Sequence, residues 1–172
     1  MQNAFSGTRR SHGPVALAVL ASSAIVVTSV AAASVLVPIH GLFQHIRTTP
    51  AFTAPCTFTN VENGNGILSH LGETAWTSTE LGHFDSCPGG VPGGPAITVH
   101  GVFTLTAANG DEIQGRYTTF GTLDANGVKV SGPIVFLSGT GRFTNVKGGG
   151  VITAVASVLT EASGTIDGVI RY

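Results

Sequence analysis

From residue 97 onward the chain alternates apolar and polar side chains with a period of two, interrupted at short intervals by turn-forming residues. Successive side chains of an extended backbone point to opposite faces, so this alternation marks half-buried strands. Ile97, Val99, Phe103, Leu105 and Ala107 fall on one face with Gly101 between them; Thr98, His100, Thr104 and Thr106 fall on the other. Asn109-Gly110 then supplies a hairpin signal, since both central residues of a type I′ turn need positive φ. A second strand runs over residues 112–120, with Ile113, Tyr117 and Thr119 on one side. Asp124-Ala125-Asn126-Gly127 makes the next turn, and strands follow over 128–137, 151–159 and 164–172. Upstream, residues 67–78 read as one long strand and residues 57–61 as a short one that opens the domain.

Seven strands are thus legible. An eighth has room around the Pro-Gly stretch at 87–95, or by division of the long strand. Hairpins in sequence favour an up-and-down barrel over two open sheets, because closure removes the edges that template aggregation. Gly101, Gly115, Gly121, Gly132, Gly164 and Gly168 recur inside the strands, where glycine marks the bends of a strongly coiled sheet. Charged residues make up only 10% of the chain, against about 25% in an average soluble domain, and no long amphipathic helix is visible from residue 55 to the end. The expected fold is all-β: an eight-stranded antiparallel up-and-down barrel behind an N-terminal signal or anchor helix.

Arg9 and Arg10 precede the stretch Val15 to Val37, which contains no Asp, Glu, Lys or Arg. A basic start, an apolar run and the small residues Ala31, Ala32 and Ala33 have the three-part form of a secretory signal, with cleavage after Ala31 or Ala33. The other reading is an uncleaved anchor, since 23 uncharged residues can cross a bilayer core of about 30 Å. Both readings place the remainder outside the cytoplasm, secreted or at the cell surface. Residues 1–33 are therefore assigned to a signal peptide or signal anchor, 34–54 to a linker and 55–172 to the barrel. Pro38, Gly41 and Pro50 interrupt any long helix in the linker, although Leu42, Phe43 and Ile46 could form one short apolar face.

Cys56 and Cys87 are the only cysteines, and an even count in an oxidising compartment argues for one disulfide. Such a bond would tether the stretch from Cys87 to Pro95, whose three Pro and four Gly exclude regular structure. Metal binding by these thiols with His83 and Asp85 competes weakly, because no second Cys pair or paired His spacing is present. From residue 34 onward six Lys and Arg face nine Asp and Glu. No clustered basic surface exists to displace counterions from a nucleic acid.

One segment near the C-terminus carries a resemblance. Leu137-Ser138-Gly139-Thr140-Gly141-Arg142-Phe143-Thr144-Asn145-Val146-Lys147-Gly148 resembles the Gly-Thr-Gly-Arg-Phe signature of the allene oxide cyclase barrel-like group, to which plant dirigent proteins are related. Ser69-His70-Leu71-Gly72, Thr104 to Asp111, and Gly164 to Tyr172 match secreted bacterial members, so the likeness spans residues 57–172. It implies an eight-stranded antiparallel barrel with a largely apolar cavity, self-association into homo-oligomers as in plant relatives, and guidance of the cyclisation or coupling of reactive small molecules by shape. No catalytic residue carries over, because the strands that would hold one do not align by any motif.

No Gly-x-Ser-x-Gly, phosphate loop, cofactor fingerprint or metal spacing is present in the sequence. His70, His83 and His100 lie on separate segments. If residues 67–78 form one strand, Ser69 and Glu73 share a face with Ile67 and Leu71. A carboxyl among apolar neighbours suits acid or base work. Tyr117 shares the Ile113 face, where its hydroxyl could orient a carbonyl or phenol. Glu73 and Tyr117 are the catalytic candidates. Arg116 and His100 become ligand-binding candidates if the polar faces turn inward. Arg142 is a further ligand contact, or else bonds carbonyls left free by its turn.

Three functions remain: a non-catalytic barrel binding a small apolar ligand or a surface partner, a cyclase or isomerase working in the cavity, and a structural cell-surface protein. A cavity below about 300 Å³ would count against the first two. The N-terminal sequence of the mature protein is expected to begin near Ser34; an intact terminus carrying Arg9 and Arg10 would mean an anchor.

Overall fold

The computed structural model describes residues 35–47, 51–86, 96–124, 127–156 and 161–172, with the side chains of 46 and 47 excepted. Nine strands are formed: β1 Val37–Arg47, β2 Ala51–Ala54, β3 Thr57–Leu68, β4 Gly72–Phe84, β5 Ala96–Ala107, β6 Glu112–Asp124, β7 Gly127–Gly139, β8 Lys147–Ala156 and β9 Glu161–Arg171. Each strand from β3 to β9 pairs antiparallel with the next. β1 then pairs with β9 on one side and with β3 on the other, from Gly41↔Leu68 to Arg47↔Glu62. The result is a closed eight-stranded antiparallel barrel. The short β2 lies against β3 beyond the point where β1 leaves it.

Closure corrects the expected linker. Residues 37–47 and 51–54 are strands, and the eighth staff of the barrel is β1, not the Pro-Gly stretch. Pro38 and Gly41 do forbid a helix, but Pro38 lies one residue into the strand, where proline is tolerated. Ile39, Phe43 and His45 alternate into the barrel while Leu42 faces out. The compact unit runs over 33–172. The expected signal or anchor helix lies outside the described residues.

The single long strand expected over 67–78 is a hairpin instead. Ser69, His70 and Leu71 turn between β3 and β4, with His70 at φ 67° and Gly72 at φ 73°. A histidine takes positive φ only occasionally, so the residues give no sign of the turn. At Ala107–Asp111 only Gly110 has positive φ, and its N–H donates to the Ala107 carbonyl at 2.9 Å. This corrects the expected type I′ turn to a three-residue loop ending in a left-handed glycine, the next most common hairpin connection. Asn109 instead uses its side-chain amide to donate to Asp111 at 2.9 Å. β6 and β7 pair as far as Asp124↔Gly127, and residues 125 and 126 of the turn expected there lie outside the described set.

The two ends of the barrel differ. The β3–β4, β5–β6 and β7–β8 connections lie at one end, which is packed with Leu68, Leu71, Leu105, Ile113 and Phe136. There the Gly-Thr-Gly-Arg-Phe segment forms a single 3-10 turn, Gly141–Phe143. It seats Phe143 with no exposed surface, and Gly141 supplies the positive φ. The other end, where β4–β5, β6–β7 and β8–β9 are joined, carries Val128, Val130 and Ala154 beside Phe58, Phe84 and Ile97.

Cys56, in the turn between β2 and β3, is engaged rather than free. Cys87 lies outside the described residues.

Several strand glycines are inward and sit beneath aromatic rings. A Cβ at Gly101 would overlap the Tyr117 ring, and one at Gly82 the Phe58 ring. Bulky aromatics fill the tube only because their cross-strand neighbours carry no side chain. Gly101→Ala is expected to destabilise the protein by about 1–3 kcal/mol through overpacking, read by chemical denaturation. A change under about 0.5 kcal/mol would mean that the ring has room to move.

Candidate functional site

The lumen carries a polar cluster in an otherwise apolar filling. On β3, Phe58, Asn60 and Glu62 alternate inward; on β4, Trp76, Ser78 and Glu80 do the same. β1 contributes His45, and β6 contributes Tyr117 and Thr119. Each is placed by strand alternation alone, so the cluster follows from register rather than from a loop.

Its geometry is connected. Glu62, 2% exposed, has one carboxylate oxygen 2.6 Å from His45 Nε2. Its other oxygen accepts from Asn60 Nδ2 at 3.0 Å. The second amide hydrogen of Asn60 goes to Glu80 at 3.2 Å, so Asn60 stands between two carboxylates and must turn its amine toward them. Glu80, 7% exposed, also accepts from the Tyr117 hydroxyl at 2.6 Å. Trp76 Nε1 donates to Ser78 Oγ at 3.2 Å. Phe43, Trp76 and Phe103 stack ring on ring, with centroids 5.1 and 5.2 Å apart.

Burial pushes the Tyr117 phenol far above its ordinary value near 10, with the neighbouring Glu80 carboxylate acting in the same direction. The phenol therefore stays protonated and serves as a donor. Among the described residues two buried side-chain polar atoms have no hydrogen-bond partner, His45 Nδ1 and Thr119 Oγ1. Both residues line the same cavity, from β1 and β6.

That cavity holds about 30 Å³ for water-sized molecules. A single water needs about 10–15 Å³ on this scale, and common ligand sites span about 300–1,000 Å³. The largely apolar cavity implied by the family resemblance is therefore not found among the described residues. The volume falls on the unfavourable side of the limit set for a preformed ligand pocket or a cyclisation mould.

Of the sequence candidates, only Tyr117 belongs to the cluster. Glu73 is exposed and points outward opposite Ile67. It does share the face of Ile67, but that face is the outer one, since Ile67 is exposed and Leu71 is buried from within the turn. Arg116 and His100 also face outward, His100 sharing a 3.0 Å hydrogen bond with Thr118. Inward-turned polar faces, the condition for their role in the lumen, do not occur there. Arg142 lies at the sealed end, far from the cluster along the strands. It donates to the His70 carbonyl at 2.6 Å, in the β3–β4 turn rather than its own, and lies over the Phe143 ring.

The sequence reading missed His45, Asn60, Glu62, Glu80 and Thr119. A signal existed for four of them. Asn60 and Glu62 continue the parity of Phe58, Glu80 that of Trp76 and Phe84, and Thr119 that of Tyr117. A polar residue on the apolar parity of a strand is the mark of a buried functional group. His45 had no such sign while its segment read as a linker.

No protein-family model matches the chain, and no curated protein or solved structure matches it either.

Tyr117→Phe leaves the buried Glu80 carboxylate short of a donor and is expected to cost about 1–3 kcal/mol at pH 7. Because the folded state holds the phenol proton that the unfolded chain releases near pH 10, the stability that Tyr117 contributes is full below pH 10 and declines above it. The gap between wild type and variant should narrow there. A gap that stays constant to about pH 11 would show that Tyr117 ionises equally in both states.

Proposed function

We propose that this protein is an exported barrel that binds a small, mainly apolar molecule in the half of its lumen lined by Val128, Val130 and Ala154, with one polar group of that molecule directed at the Glu62–Asn60–Glu80–Tyr117–His45 cluster. The observation that carries this reading is the pair of carboxylates, 2% and 7% exposed, in a tube that apolar side chains could fill. Desolvating a carboxylate costs several kcal/mol, so such groups mark function more often than stability. The residual space of about 30 Å³ sets a condition: binding must displace side chains at the end lined by Val128, Val130 and Ala154.

A second reading, a cyclase or isomerase in the same lumen, is favoured by the two titratable pairs, His45–Glu62 and Tyr117–Glu80. A third, a structural cell-surface protein, is favoured by the small volume. Membership of the allene oxide cyclase barrel-like group belongs to the same proposal; the eight-stranded closed barrel supports it, and the filled lumen does not. Export rests on the N-terminal sequence and on the cysteine pair, with a Cys56–Cys87 bridge as its chemical trace.

Native mass spectrometry of protein purified from its own secretions tests these statements together. The expected spectrum shows a retained small molecule and a polypeptide mass two hydrogens below that of the reduced chain. An empty barrel would oppose the ligand reading, and a fully reduced chain would remove the bridge.

A further inference from the structure

The Glu62–His45 contact fixes which imidazole nitrogen is available for work. Nε2 lies 2.6 Å from a Glu62 oxygen, and a carboxylate accepts only, so Nε2 carries the hydrogen. In the neutral ring Nδ1 is then a bare lone pair; in the cation it is an acid. A carboxylate that holds histidine in this way fixes its tautomer and ring orientation. Nδ1 is buried and has no partner, and the second orphan in the cavity, Thr119 Oγ1, is a hydroxyl whose hydrogen is uncommitted. β1 and β6 are separated by three strands on one side, β3, β4 and β5, and by three on the other, β9, β8 and β7. The proton acceptor and the hydrogen-bond donor therefore come from opposite walls of the tube. Tyr117 and Glu80 satisfy one another and are not the pair left to act.

Resting on the reading that the lumen takes a ligand, we propose that His45 is the proton-transfer group of the barrel and Thr119 the donor that holds the oxygen of a small carbonyl compound, the two together driving a proton shift. A C–H bond next to the carbonyl breaks and its proton goes to Nδ1. The C–H electron pair becomes the new carbon–carbon double bond, while the carbonyl π pair moves onto the oxygen held by Thr119. Return of the proton from Nδ1 to carbon regenerates a carbonyl compound, so no oxidant, reductant or co-reactant is consumed. Glu62 acts through His45 and is a positioning residue.

The probe is acetone, a compact ketone with exchangeable hydrogens, in heavy water with the full mature protein. Deuterium incorporation is followed by proton NMR, and the His45 ring is observed by nitrogen-15 NMR. Wild type is expected to exchange acetone hydrogens about a hundredfold faster than buffer or more, the low end of general acid–base catalysis at about 10²–10⁴. Thr119→Val and His45→Gln should each lose that excess, with the wild-type proton on Nε2. Glu62→Gln should change the tautomer balance as well as the rate, which a merely structural role would not do. If acetone shifts the Trp76 and Thr119 resonances without exchange above buffer, the proton-transfer inference falls and lumen binding stands. If acetone shifts no lumen resonance and the native protein retains no molecule, the lumen reading falls and takes the inference with it. Should the variants not fold, the wild-type exchange rate and tautomer decide: a proton on Nδ1 overturns the proposal.

Discussion

β1 hydrogen-bonds β9 along one edge and β3 along the other, and every other property of the barrel depends on that double pairing. Without it the sheet from β3 to β9 would have two long unpaired edges, an invitation to self-association. With it the inward side chains of eight strands face one another, and period-two alternation becomes a division between lumen and exterior. The same strand brings Ile39 and Phe43 to the filling and His45 to the polar cluster. Closure and chemistry therefore share one element.

The lumen is asymmetric along its axis. At one end Phe143, Val146, Leu105 and Ile113 are completely buried and the 3-10 turn seals the tube. Beyond the stacked rings of Phe43, Trp76 and Phe103, two carboxylates, an amide, an imidazole and a phenol satisfy one another almost fully. In a low-dielectric interior such a network is stable while each donor has its acceptor, and costly when one is removed. Its two uncommitted atoms are therefore the informative ones. They face a space of about 30 Å³, which suits a water or a very compact group rather than the largely apolar cavity that the sequence resemblance implies.

Much of the fold was legible because alternation and turn chemistry are local. Strands β5 and β6 and the place of the turn between them follow from residues close in sequence. What escaped reading was non-local or atypical. β1 is a strand because β9 and β3 stand ready to pair with it, although Pro38 and Gly41 weaken its own propensity. The β3–β4 turn has no Asn-Gly or Pro-Gly pair and relies on His70 in a left-handed conformation. Glu73 is misplaced in the sequence because the Ile67–Leu71 face reads as apolar and inward although Ile67 is exposed, and Glu80 lies beyond the expected end of the strand at 78. The site was harder still, since its members come from β1, β3, β4 and β6 and meet only on closure; Tyr117 alone was picked out, on the strength of its apolar parity.

The central claim is that the polar cluster serves the chemistry of the lumen and not the stability of the barrel. Replacing it as a unit, with His45→Phe, Asn60→Leu, Glu62→Leu, Glu80→Leu and Tyr117→Phe together, and measuring the unfolding free energy at neutral pH, tests this directly. Removing the five together strands none of them against another, so the replaced barrel should be as stable as the wild type or more stable by up to about 1–4 kcal/mol. A loss of more than about 2 kcal/mol in a barrel that still folds would show that the cluster holds the structure together, and would contradict the account.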